Sequence, residues 1–367
     1  MTTTQHKNIG LIGLSAKPGS WAGRAHIHYF NEQSHYKITA LQNSSKESAE
    51  AAAKAHNLEG VSAHGSIDTL VKDPNVDIVA VSVNVPAHFS LVKPALEAGK
   101  DVFVEWPLAR NLPDAELLTS LAKEKGVKTS VGLQARQNPS ILKAKEYVQS
   151  GKLGKILNTT MYGHGMILGP TTNDKYEYLS DINNGANILT IPAGHAIDAL
   201  CFVLGELESV SAMLSTLRKK VKVVDEEGKE VKEIDQTSHD QIAITGPLVN
   251  GGGLVSVVYA GGSSRTGRDF HWEINGTEGS LVLEGPSGHI QMAQPTLKFI
   301  SNDAGAKLET VEVEDANHPK FAVGRAWDAW AGKGIGSVTT FENALLRHRM
   351  IDAVYKSAKE GRVQRYL

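Results

Sequence analysis

A chain of 367 residues with a formal charge of −2 has no long-range pull on a polyanion, which argues against nucleic acid as a direct ligand. The length exceeds one ordinary core, so two domains are expected, and 41% apolar with 21% charged residues is the balance of a globular protein. The single cysteine, Cys201, excludes an internal disulfide and a cysteine-paired metal site, and it fits a reducing, cytoplasmic setting.

The polar start and the short apolar run IGLIGL are too brief for a signal or a membrane segment. From there the chain alternates. NIGLIGL reads as a buried strand, followed by a loop and a helix over about 21–30. YKITALQN is a second strand and KESAEAAAKAHN a helix. DIVAVSVN, KDVFVEW and VKTSVGL are further strands, separated by the helical stretches FSLVKPALEAG and PDAELLTSLAKEKG. Strands with nearly continuous apolar runs, alternating with helices, predict a parallel sheet covered on both faces over residues 1–130.

The pattern then changes. ILNTTMYGH, VSAMLSTL, DQIAITG, GLVSVVYAG, FHWEING and GSLVLEG have period-two character and glycine-rich turns, which predicts a mostly antiparallel, open-faced sheet in an α+β domain over 131–340. The charged run LRKKVKVVDEEGKEVKEIDQ reads as an exposed ribbon. A closing helix, ENALLRHRMIDAVYKSAKEG, is expected to pack its segment, 341–367, back on the first domain.

Two places carry cofactor chemistry. The loop Gly13-Leu14-Ser15-Ala16-Lys17-Pro18-Gly19-Ser20-Trp21 follows the first strand, where a dinucleotide fold needs small residues so that backbone N–H groups reach a pyrophosphate. Ser15 stands where the usual second glycine would be. The second strand ends in Asn43-Ser44-Ser45-Lys46, with no acid to bind a ribose and repel a 2′-phosphate; hydroxyls and a lysine suit that phosphate, so NADP is expected over NAD. A solvated helix cap is the alternative use of the serines.

The spacing of Asn84-Val85-Pro86-Ala87-His88, ALEAGK and Glu105-Trp106-Pro107, then VGLQARQNPSILKAKEYVQSGKLGKI, GHAID, EINGTEGSLVLEG and SAKEGR, resembles the glucose–fructose oxidoreductase and inositol dehydrogenase (Gfo/Idh/MocA) family. The resemblance covers almost the whole chain in order. It implies a Rossmann domain, a nicotinamide cofactor across its strand ends, and a second domain whose open sheet faces substrate and a partner subunit. The cofactor would lie among Gly13, Ser15, Lys17, Trp21, Asn43, Ser44, Ser45, Lys46, Asn84, His88, Glu105, Trp106, Pro107, Gln134 and Arg136. It also implies a departure. Where family dehydrogenases carry Glu-Lys-Pro this chain has Trp106, and where they carry an aspartate four residues before the acid–base histidine, here His195, it has Ile191. In both respects it is similar to the fungal galactose-repressor branch, which binds NADP as a regulator.

The losses have chemical weight. Hydride transfer from an alcohol needs a base for the proton and a donor for the developing alkoxide; an indole offers one N–H and no charge, and isoleucine neither. His195 remains, read either as a proton donor or acceptor facing the nicotinamide or as a buried histidine bonded to its surroundings. Asp198 is read as orienting rather than reacting, and Lys175, Tyr178, Tyr176 and His164 are candidate substrate contacts or packing residues. An aromatic residue before Pro107 favours a cis bond. Two functions follow: an NADP(H)-dependent oxidoreductase of a sugar, polyol or carbonyl compound, or a catalytically silent NADP-binding regulator with a protein partner, for which the nucleus is a second location beside the cytoplasm. A homodimer, no membrane contact and no metal are expected for both.

Overall fold

The structure, a computed structural model, describes residues 6–33, 35–316, 318–333 and 336–367. Its contacts divide the chain into two units, Met1–Gln134 with Pro319–Leu345, and Ala135–His318 with Leu346–Leu367.

The first unit is a six-stranded parallel sheet in the order β3-β2-β1-β4-β5-β6. Its strands are β1 (Lys7–Ile12), β2 (Tyr36–Gln42), β3 (Ser62–His64), β4 (Ile78–Val81), β5 (Asp101–Glu105) and β6 (Thr129–Gly132). The runs IVAV of β4 and VFVE of β5 are buried throughout, as strands covered on both faces must be. The crossovers are α1 (Ile27–Glu32), α2 (Lys46–Ala55), the one-turn α3 (Ile67–Leu70), α4 (His88–Glu97) and α5 (Leu112–Lys125). A π-helical turn, Ala22–His26, leads into α1. Asn111 caps α5 by accepting from Asp114 N–H, and Gly126, at φ 65°, ends it in the left-handed conformation that glycine tolerates.

The second unit holds α6 (Pro139–Gln149), β7 (Ile156–His164), β8 (Thr171–Thr172), α7 (Pro192–Leu204), β9 (Ser211–Ser215), β10 (Lys220–Val224), β11 (Glu230–Asp235), β12 (Gln241–Pro247), β13 (Leu254–Ala260), β14 (Phe270–Gly276), β15 (Gly279–Gly285), β16 (Thr296–Ser301) and β17 (Glu309–Thr310). The large sheet runs β17-β16-β15-β14-β7-β13-β12-β9 and is antiparallel except where β13 lies beside β7. One face is packed: Met161, Val255, Val257, Trp272, Ile274, Leu281 and Leu283 are buried, and the Trp272 indole donates to Thr159 Oγ1 at 2.8 Å. The predicted ribbon is there as β10 and β11, joined by β8, but its inner face buries Val221 and Val223.

The expected limits, 131–340 and 341–367, differ from the observed division. Pro319–Leu345 belongs to the first unit because α8 (Pro319–Trp330), unpredicted from sequence, sends Val323 and Trp327 into that core, where Phe103 stacks on the indole at 4.4 Å. Most of α9 (Phe341–Glu360) belongs to the second unit instead. No helix among the described residues is long and apolar enough to cross a membrane.

Candidate functional site

The strand order reverses between β1 and β4, and a dinucleotide binds at such a switch point, beyond the carboxyl ends of the strands. Gly13 follows β1 there with φ +94°, and a Cβ on it would lie 2.2 Å from the Ser82 carbonyl oxygen. Only glycine allows that approach. Gly13→Ala is therefore expected to cost about 1–3 kcal/mol and to abolish nucleotide binding, read by denaturant titration and by calorimetry.

The loop beyond Gly13 is pinned by its own neighbours. Ser20 Oγ accepts from Gly23 N–H at 3.2 Å, Ser15 Oγ from Lys17 N–H at 3.0 Å, and the Ser15 carbonyl lies 3.0 Å from His56 Nε2. Lys17 is left exposed. Around this edge several buried polar atoms have no hydrogen-bond partner: Ser82 Oγ after β4, Gln134 Oε1 after β6, and Trp21 Nε1 at the start of the helical turn. Buried polar groups are normally satisfied, so these atoms fit a polar ligand along the edge.

Several expected cofactor residues are committed elsewhere. The Asn43 amide donates to Leu14 O at 2.8 Å and Ser48 O at 3.2 Å, so it shapes the loop. Ser45 caps α2 by accepting from Ser48 N–H at 3.1 Å, whereas Ser44 and Lys46 beside it are exposed. His88 is not presented to a ligand: it is buried, with Nδ1 2.8 Å from the Pro107 carbonyl and Nε2 3.0 Å from that of Val83. Its burial holds its pKa below the ordinary value against those contacts. Asn84 is exposed at the turn before it. Trp106 is 5% exposed and its bond to Pro107 is cis.

Glu105 is turned inward, with Oε1 2.7 Å from His26 Nε2, and His26 Nδ1 accepts from the Trp327 indole at 3.1 Å. His26, wholly buried, was missed from sequence. Nothing local in RAHIHYF marks it, because its partners are 79 and 301 residues away.

In the second unit His195 lies on α7, one turn after Ile191, whose carbonyl accepts its N–H at 3.0 Å. The ring is 3% exposed and its Nδ1 is buried without a partner. Burial pushes its pKa down to about 3; Asp198 opposes this and His289 adds to it. His289 sits 2.5 Å from the Gly165 carbonyl through Nε2, and its Nδ1 lies 3.0 Å from the Gln291 amide nitrogen. His164 pairs with the Tyr162 hydroxyl through Nε2, and its Nδ1 is buried without a partner.

Asp198 is engaged by two guanidinium groups. It takes both bonds of Arg136, Nε and Nη2 each at 2.7 Å, and a third from Arg347 Nε at 3.3 Å. Arg136, expected at the cofactor, is therefore an ion-pair partner inside the second unit. Arg347, fully buried, also reaches Glu206 at 2.6 and 3.1 Å, and Tyr366 donates to that carboxylate at 2.9 Å. Tyr178 and Lys175 lie on a 3-10 turn, Asp174–Ser180, tied to β11 through Lys232–Glu177 at 2.8 Å. Lys175 is exposed with its ammonium 5.4 Å from the Tyr176 ring centre, and Tyr178 is half-buried, its phenol pushed up to about 12 by burial and then by Tyr176. Among the described residues, no group of three or more His, Cys, Asp and Glu side chains is placed to hold a metal.

Residues 7–133 match the model of the oxidoreductase family with an NAD-binding Rossmann fold, and 139–285 match that of the Gal80p C-terminal domain. Dehydrogenase aclE of Aspergillus oryzae is 38% identical, over 98% of either chain. The galactose/lactose metabolism regulatory protein GAL80 of Saccharomyces cerevisiae is 28% identical over 96% of this chain and 93% of its own. A crystal structure of a super-repressor mutant of Gal80p from that yeast superposes with a TM-score of 0.90 at 26% identity, covering 98% of both chains. Levoglucosan dehydrogenase, solved with NADH and levoglucosan, shares the fold at a TM-score of 0.81 and 22% identity, covering 99% of this chain and 100% of its own. With a relative this similar along its whole length, and with both halves matched in order, the chain belongs to the Gfo/Idh/MocA oxidoreductase family and carries a Gal80-type C-terminal domain.

Proposed function

We propose that the chain is an NADP(H)-dependent oxidoreductase acting on a sugar, a polyol or another carbonyl or alcohol compound, with His195 as proton donor or acceptor. The observation that carries this is the buried, unpartnered Nδ1 of His195. The imidazole is neutral near pH 7 and so has one ring nitrogen with a proton and one without, and an unpaired Nδ1 is available to give or take the hydroxyl proton once substrate is bound. When bound, the nucleotide supplies or accepts the hydride. The chain's residues do the rest: Gly13 lets the backbone approach the pyrophosphate, Ser82 and Gln134 offer unpaired oxygens, and Lys175 and Tyr178 stand as donors to substrate oxygens.

The preference for NADP is supported by exposed Ser44 and Lys46 at the start of α2, where the helix terminus and an ammonium both favour a phosphate. Lys46→Glu is expected to weaken NADPH binding about tenfold or more while leaving NADH nearly unchanged, measured by calorimetry at low salt. The reading itself is tested by screening carbonyl and polyol compounds for a change in NADPH absorbance. No turnover with any of them, despite tight nucleotide binding, would count against it.

A second reading has its own support. Trp106 and Ile191 bring no charge to a developing alkoxide, and GAL80 of Saccharomyces cerevisiae is named a regulatory protein. On that reading the chain is a silent NADP sensor, cytoplasmic or nuclear, and a protein partner's affinity for it changes with NADP. In either case a homodimer is proposed, since Met213, Leu254 and Val258 stand exposed on the unpacked face of the large sheet, which a second copy would cover.

A further inference from the structure

Glu105 ends β5 at 9% exposure, and its Oε1 lies 2.7 Å from His26 Nε2. An indole N–H only donates, so the bond from Trp327 to His26 Nδ1 leaves that nitrogen without a proton. The ring's one proton is on Nε2 and is donated to Glu105 Oε1. His88, whose ring also feels Glu105, has both ring nitrogens facing carbonyl oxygens, while burial holds its pKa below the ordinary value. Among the described residues, His26 is the one group within ion-pair distance of this carboxylate. The next residue, Trp106, carries no charge. Among the described residues, Glu105 is thus hydrogen-bonded to a histidine and has no lysine or arginine paired with it.

Its place in the sheet gives this a consequence. A dinucleotide across the switch point puts one mononucleotide half over β1 and β2 and the other over β4 to β6. Ser44 and Lys46, the groups suited to the adenosine-side phosphate, follow β2. The nicotinamide half then belongs over β4 to β6, where Glu105 Oε2 would lie 2.5 Å from a Cβ on Gly132 and where Ser82 and Gln134 have their unpaired oxygens. The oxidised nicotinamide ring is a cation and the reduced ring is neutral.

We propose that Glu105 makes the chain a selective binder of the oxidised nucleotide, the nicotinamidium ring supplying the positive charge that this buried carboxylate lacks. The proposal rests on the nucleotide site proposed above and adds to it a preference between redox states. At an effective dielectric of about 20, charges a few Å apart interact strongly enough for at least about a tenfold difference in Kd. A tenfold preference lowers the midpoint potential of the bound couple by about 30 mV.

The test is isothermal titration of the full chain with NADP+ and with NADPH, and with NAD+ and NADH as a second pair that differs by the same ring charge. The expected result is about tenfold tighter binding of the oxidised member in both pairs. Glu105→Gln, which keeps an acceptor for His26, is expected to bring the ratio close to one. If that variant does not fold, Trp106→Lys serves instead: an ammonium beside Glu105 should remove or reverse the preference. Equal affinities in the unaltered chain, or a preference that survives in a folded variant, would overturn the proposal and leave the nucleotide site standing. Binding of none of the four nucleotides would overturn both.

Discussion

Arg347→Met is expected to lower stability by about 3–5 kcal/mol, the range seen when one partner of a buried ion pair is removed. The guanidinium is fully buried and bonded to Asp198 and Glu206. Methionine fills much of the space but leaves Glu206 with no cation and Asp198 with Arg136 alone. In the intact protein burial works to raise both carboxyl groups. It is outweighed at Asp198 by Arg136 and then Arg347, and at Glu206 by Arg347, so both pKa values fall below ordinary. A carboxylate with a depressed folded pKa stabilises the fold above its unfolded pKa and loses that contribution as pH falls through the folded value. In the variant, burial at Glu206 goes unopposed by a cation, and its protonation then relieves the folded state. Denaturant titrations at pH 7 and pH 5 should therefore show the gap between variant and parent narrowing toward acid. A gap as wide at pH 5 would mean that lost packing, not stranded charge, sets the cost.

His195→Ala is expected to reduce turnover by about 10²–10⁴-fold while leaving the Kd for NADPH unchanged, because the side chain belongs to proton transfer and not to the nucleotide. Its pKa of about 3 makes a second expectation. The pH profile of kcat/KM should show no histidine-like inflection near 6.5, since the free protein's imidazole stays neutral through that range. Stability carries the same signature. Between about 6.5 and about 3 the unfolded chain takes up a proton that folded His195 refuses, so stability falls as pH drops through that window, and His195→Gln should flatten part of the slope.

Much of the fold was legible because it is written locally. The runs IVAV and VFVE, the alternation of strand and helix, and the switch to period two after residue 150 each depend on near neighbours along the chain. Gly13 was legible as a turn before a helix, and Trp106–Pro107 as a cis bond. Pairings over long distances were not. His26 gains its role from Glu105 and Trp327, α8 from a core laid down by the first hundred residues, and Arg136 from Asp198. A basic residue in a family block reads as a cofactor contact until the carboxylate that claims it is seen. His88 misled for the same reason, since sequence cannot show that two carbonyls already face its ring.

The two discontinuous units have a consequence for biosynthesis. The first is not complete until Pro319–Leu345 has been translated, and the second waits for Leu346–Leu367, which brings Arg347 and Tyr366 to Glu206. Domains made of one continuous stretch can fold in turn as they leave the ribosome. This polypeptide cannot. Its first core must wait for Trp327 while the β-rich half emerges, so the apolar face that this indole covers stays open until nearly the whole chain has been made.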